Sequence, residues 1–262
     1  ESPADVGPRR AAAASRHPRA RDRSPGAPGC PASGRDDTVA RMAGHPAEGV
    51  TRFAGDPETR VLDERVYGET ARVLAAWREV LARLGLIGRD PARYQGLGYG
   101  NVSARVGPFG DVGRGQRRFL VTGTQTGGRR TVTLADFCLV ERYDLTRNRV
   151  RSLGPEPPSS ESLTHGALYD IAPAARVVLH GHAPEIWRHA PALGLPVTRA
   201  DIANGSPEMA LEVQRLYRES TLSGTGILAM GGHEDGVLAF GSSAGEAGET
   251  LVRYLARALA AG

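Results

Sequence analysis

The residues best suited to chemistry in this chain are histidines. His165, His180 and His182 crowd into "SSESLTHGALYDIAPAARVVLHGHAP", residues 159–184, in a chain with only 7 histidines among 262 residues. His180 and His182 stand two apart behind the apolar Val177, Val178 and Leu179, which reads as the end of a buried strand. Alternate strand residues share a face, so both imidazoles reach one point, as a metal ion requires. His233, in "MGGHEDGVLAFG", follows two glycines and precedes another apolar strand, where a loop can carry a side chain over the end of a sheet. Three neutral imidazoles that leave a coordination position open make a catalytic divalent site, most simply zinc, and not a structural one. The competing readings are histidines satisfied by hydrogen bonds and, for His233, a turn residue capped by Glu234 or Asp235.

Glu161 and His165 lie four apart, on one side of a short expected helix. Glu161, in the first turn beside a metal, is a candidate proton-transferring base. His165 could be a ligand, but a supporting partner or a packed histidine is the favoured reading. Ser159 and Ser160 open this helix after two prolines; they read either as caps or as an oxyanion or phosphate site at a helix N-terminus. Asn101 in "YGNVSARV" and Thr126 with Gly127 in "VTGTQTGG" are turns that gain meaning only if they converge on the same pocket. His17, His45 and His189 receive no role.

Composition narrows the chemistry further. All 33 basic residues are arginine, so no lysine is available for a Schiff base, a pyridoxal phosphate linkage or a P-loop. A carbanion, if one forms, would have to be stabilised by a metal. The net charge of +4 comes from residues 1–35, which hold seven arginines and three acids; the remainder is balanced and low in aromatics. Nucleic acid is therefore not an expected partner. Two cysteines, Cys30 and Cys138, make no disulfide framework and point to a reducing, cytoplasmic setting. No run suits a membrane span, and none near the N-terminus suits a secretory signal.

Elements must hold these residues in place. Residues 1–55, rich in Ala, Arg, Pro and Gly, read as a disordered tail, and 56–262 as one domain. Val73, Leu74, Trp77, Val80, Leu81 and Leu84 mark a helix with one apolar face, stopped by Gly85 and Gly88. Between about 94 and 153 the pieces "GNVSARV", "RRFLVTG", "FCLVERYD" and "RNRVRSL" form a β-meander. A helix over 161–170, a strand over 176–182, a helix over 208–219 and the strand "GVLAFG" follow. A closing helix from about 244 to 261 carries Leu251, Val252, Leu255 and Leu259 on one face. The order predicts a three-layer α/β/α sandwich around a mostly antiparallel or mixed sheet.

In the order "GNVS", "TGTQTGG", "PSSE", "HGH" and "GGH", residues 60–262 resemble the class II aldolase/adducin family. The resemblance implies a class II aldolase-like fold, a homotetramer with sites near subunit boundaries, and one divalent ion per chain held by His180, His182 and His233. It makes Glu161 the acid/base and Asn101, Ser159, Ser160, Thr126 and Gly127 substrate or phosphate contacts. The expected activity is a lyase reaction, an aldolase making or breaking a carbon–carbon bond in a small hydroxy-carbonyl compound or sugar phosphate through an enediolate. Epimerases, dehydratases and non-catalytic adducin-like modules share the fold. Two departures stand out: the loop "TGTQTGG" is longer than the aldolase loop, making Thr122 with Gly123 a rival pair, and "LPVTRADIANGSPE" lacks the tyrosine that fuculose phosphate aldolase uses as proton donor.

Overall fold

The structure, a computed structural model, describes residues 53–262. The tail expected over residues 1–55 falls mostly outside the described residues; its last part runs into the first strand.

The described chain begins with β1 (Ala54–Thr59), then α1 (Glu64–Arg83), β2 (Gly88–Arg89), β3 (Gly98–Tyr99), β4 (Asn101–Arg105), β5 (Phe119–Thr122), β6 (Phe137–Asp144) and β7 (Arg149–Gly154). There follow α2 (Ser162–Ile171), β8 (Val177–His182), α3 (Pro184–His189), α4 (Pro207–Glu219), α5 (Leu222–Thr225), β9 (Ile227–Ala229), β10 (Gly236–Gly241) and α6 (Ala244–Leu259). Eight strands make one sheet in the order β1-β7-β6-β5-β4-β8-β10-β9, while β2 and β3 pair separately. Every neighbouring pair in the large sheet is antiparallel except β1 with β7. The mostly antiparallel sheet of the sequence reading is present.

Strand alternation divides the interior in two. Leu120 and Leu179 face a core shared with Leu74 and Leu81 of α1, Ile186 of α3 and Leu251 and Leu255 of α6. Val121 and Val178 face a second core with Leu163 and Leu168 of α2 and Met209 and Val213 of α4. Helices therefore cover both faces, as a three-layer sandwich requires.

Helix α1 starts earlier than expected, capped by Asp63, whose side chain accepts from the Arg65 amide at 2.9 Å. Its buried face is also rotated. Ala71, Leu74, Arg78 and Leu81 point inward, whereas Val73, Val80 and Leu84 stay partly exposed. An arginine on the inner face is not an apolar signal, so periodicity alone chose the wrong edge of the stripe. Strand β1, "AGDPET", is exposed along its length and contains Pro57, which suits an edge strand. Among the described residues no helix is long and apolar enough to cross a membrane.

Candidate metal centre

His180 and His182 close strand β8, and Gly181 between them explains how the strand end packs. A Cβ on Gly181 would come within 2.9 Å of the Leu86 carbonyl, and the His182 amide donates to that same carbonyl at 2.8 Å. The bare glycine lets the turn after α1 lie against the strand while both imidazoles face the other way. His233 arrives on the turn between β9 and β10, closed by backbone bonds from His233 to Met230 and from Gly236 to His233. The three imidazoles are buried, with ring centroids 4.8–5.2 Å apart and ligand atoms within 4.8 Å of one another. His180 Nδ1 lies 3.0 Å from the Val237 carbonyl, so the Nδ1–H tautomer donates there and directs Nε2 to an ion. This donor set suits zinc or a similar borderline divalent ion.

Glu161, 1% exposed, occupies the N-cap position of α2, without a side-chain bond to the helix amides, and does not lie inside the first turn. Its Oε2 accepts from the Thr164 hydroxyl at 2.9 Å, and its Oε1 is 3.9 Å from His233 Nδ1. Ser159 Oγ accepts from the Glu161 amide at 3.3 Å, and the Ser159 carbonyl accepts from Ser162. The serine turn thus orients the glutamate toward the imidazoles.

The model of the class II aldolase and adducin N-terminal domain matches residues 92–258, more than half of the chain. The chain belongs to the class II aldolase and adducin family. Among solved structures, a sugar-phosphate aldolase from Thermotoga maritima is similar at 19% identity and TM-score 0.56, over 74% of this chain and 96% of that one. L-fuculose-1-phosphate aldolase from Thermus thermophilus is similar at 21% and 0.51, over 73% and 91%. YgbL of Escherichia coli, described as a putative aldolase/epimerase/decarboxylase, is similar at 16% and 0.55, over 74% and 89%. At these identities the likeness is one of fold. No curated protein matches the chain.

Within this family fold the other expected residues fall into two groups. Asn101 is buried and stands directly across from His180 in the β4–β8 register. Gly100 before it has φ +77°, and a Cβ there would strike Ile87, so glycine is needed for the entry into β4. Gly123 bridges to Pro158 and the Thr124 amide donates to the Pro157 carbonyl, which places the rival Thr122–Gly123 pair next to the serine turn. Thr126 and Gly127 are held by other contacts. The Thr126 hydroxyl donates to the Gly123 carbonyl at 2.8 Å, and a Cβ on Gly127 would meet Tyr99 and Gly88 backbone at 2.5–2.7 Å. Arg78, from α1, donates to the carbonyls of Thr126, Gly127 and Arg129 at 2.6–3.0 Å and fixes this loop.

His165 stands outside the ligand group of His180, His182 and His233. Its Nδ1 is 2.7 Å from Ser103 Oγ, and burial pushes its pKa down to about 3, so the ring is neutral. The packed reading describes it. Sequence reasoning missed Arg93, Tyr94 and Asp235. Asp235 Oδ2 accepts from Tyr94 and from Arg93, both at 2.7 Å. The Tyr94 ring stands edge-on to His182 at 4.4 Å, with Tyr99 on the same histidine at 5.2 Å. Burial and the Asp235 carboxylate raise the Tyr94 hydroxyl above its ordinary range, so it stays protonated. The segment "RDPARYQGL" carried no periodic signal; its clue was a tyrosine and an arginine between glycines.

Proposed function

We propose that this protein is a divalent metal-dependent lyase of the aldolase type, acting on a small hydroxy-carbonyl compound or sugar phosphate. The observation that carries this reading is the Glu161 carboxylate set 3.9 Å from His233 within a buried cluster of three imidazoles. A scaffold has no use for that arrangement, which favours an enzyme over an adducin-like module. His180, His182 and His233 would hold the ion, zinc by preference, and the ion would supply a Lewis acid to polarise a substrate carbonyl. Glu161, steadied by Thr164 and the serine turn, would take and return the proton of the substrate hydroxyl. Asn101, Ser159 and Ser160 would contact the substrate, with Thr122–Gly123 or Thr126–Gly127 completing the pocket. Tyr94, edge-on to His182, would exclude water from one side. A homotetramer in the cytoplasm accords with the family resemblance and the cysteine usage.

The test is turnover by metal-replete protein on phosphorylated and free ketoses, in the cleavage and the aldol directions. Glu161→Gln is expected to lose about 10²–10⁴ in turnover while keeping its metal. Wild-type turnover in that variant, with a slightly lowered melting temperature, would reduce Glu161 to a helix-end charge. Product analysis separates aldol cleavage from epimerisation or dehydration.

A further inference from the structure

Strands β4 and β8 have a second end, opposite the metal centre, where arginines gather. Arg105 closes β4, and its amide donates to the Arg176 carbonyl just before β8 at 2.7 Å. The Val106 amide donates to the Arg118 carbonyl, which brings Arg117 alongside. Arg176 is four residues from His180 along extended chain, about 13 Å away, so this cluster is separate from the metal centre.

Arg105 is only 6% exposed, yet its Nε and one terminal nitrogen are inaccessible and have no hydrogen-bond partner. The charges acting most strongly on it are two more guanidiniums, Arg176 and Arg117; burial and those two all disfavour its cationic form. The nearby carboxylate is already engaged: Asp170 accepts from Tyr143 at 2.8 Å and from the Gly115 amide at 3.1–3.2 Å, and pairs with Arg117 at 3.6 Å. This chain can satisfy a buried arginine, as Arg78 and its three carbonyls show. Over the cluster lies Phe109, 50% exposed, its ring centroid 5.6 Å from the Arg105 guanidinium and 4.7 Å from that of Arg176. Its loop is rich in glycine, "VGPFGDVGRG".

We propose that Arg105, Arg176 and Arg117 form a second ligand site, for a phosphate-type oxyanion, with Phe109 as its cover. The two charges that act most strongly on Arg105 are guanidiniums, and Asp170 is paired with Arg117, so the cluster is positive and matched to an anion such as phosphate. Planar guanidinium forks suit the oxygens of such an anion, and Arg105 contributes donors that the protein does not use. The Phe109 ring, half in solvent, turns aside to admit it.

Calorimetric titration of the full chain with inorganic phosphate, against chloride at equal ionic strength, tests this. Wild type and the His180→Ala, His182→Ala double variant are expected to bind phosphate alike, because the site does not involve the metal ligands. Arg105→Met and Arg176→Met are each expected to weaken binding about tenfold or more. Arg176 is half-buried and makes the safer variant if Arg105→Met does not fold. A parallel titration with glycerol phosphate separates free phosphate from phosphate carried on an organic group, and tighter binding of either supports the site. No binding by wild type, undiminished binding by Arg176→Met, or binding that vanishes in the double histidine variant would overturn the proposal.

Discussion

The two ends of β4 and β8 handle buried polar groups in opposite ways. At one end, β8 and the β9–β10 turn contribute three imidazoles that could hold one cation in common, with the Glu161 carboxylate at the start of α2 3.9 Å from His233. At the other end, cations converge and the Asp170 carboxylate is already shared among a phenol, an amide and an arginine. A seam of polar residues lies between them. Asn101, Ser103 and Arg105 alternate along β4, while Glu161, His165 and Tyr169 recur at every fourth position from the N-cap of α2 onward. Ser103 Oγ contacts both His165 and Tyr169 at 2.7 Å. The difference suggests that one end is built to take up a cation and the other an anion, from the same two strands.

The sharpest way to break this comparison is to ask whether the ends are independent. Metal analysis of the His180→Ala, His182→Ala double variant should show content falling from about one ion per chain to nearly none, since two of three neutral donors are gone. Arg176→Met should keep its metal. If both variants lose it, the two ends form one site and the contrast drawn here fails.

A smaller effect is expected at the other buried arginine. Arg78→Met removes a guanidinium and leaves the carbonyls of Thr126, Gly127 and Arg129 without that donor. The cost should be about 3 kcal/mol in denaturant unfolding. Arg105→Met should cost much less or even stabilise, because it removes a guanidinium whose Nε and Nη2 have no acceptors. Equal losses would show that Arg105 is satisfied after all.

The seam between the ends predicts a pH effect. His165 has a folded pKa near 3, against about 6.5 when unfolded. Below pH 6.5 the unfolded chain therefore binds a proton that the folded chain refuses. This contribution is complete above pH 6.5 and is lost as pH falls toward 3. Between pH 7 and pH 5 it amounts to roughly 2 kcal/mol. His165→Gln should lose about that much less stability than wild type over the same interval, as measured by urea unfolding. Parallel pH profiles would mean that His165 is not a buried neutral ring.

The metal end was legible in the sequence and the arginine end was not, for a physical reason. Histidine is scarce here, so an H-x-H pair behind Val177–Leu179 stands out and strand alternation alone brings the two rings together. Arginine supplies every basic residue, and neither Arg105 nor Arg78 differs on paper from a solvated one. The strands β4 to β8 and the helices α2, α4 and α6 were readable from apolar runs and periods. Strand β1 and the β2–β3 hairpin were not, because an exposed edge strand and two-residue strands carry too few apolar positions. The Arg93–Tyr94–Asp235 cluster joins residues some 140 positions apart through a loop with Tyr94 and Gln95 at positive φ, which no local pattern announces.

The smallest predicted effect tests what now balances the arginine end. Phe109 is half exposed, so its burial stabilises little; what distinguishes it is an aromatic face toward the guanidiniums of both Arg105 and Arg176. Leucine keeps similar apolar bulk and lacks that face. Phe109→Leu should therefore cost about 0.5–1 kcal/mol, the scale of an exposed cation–π contact, with metal content unchanged. A double-mutant cycle with Arg176→Met isolates the term, since the penalty should shrink once the cation is gone. If Phe109→Leu costs the same in both backgrounds, the ring only covers apolar surface, and the arginines are balanced by something other than its face.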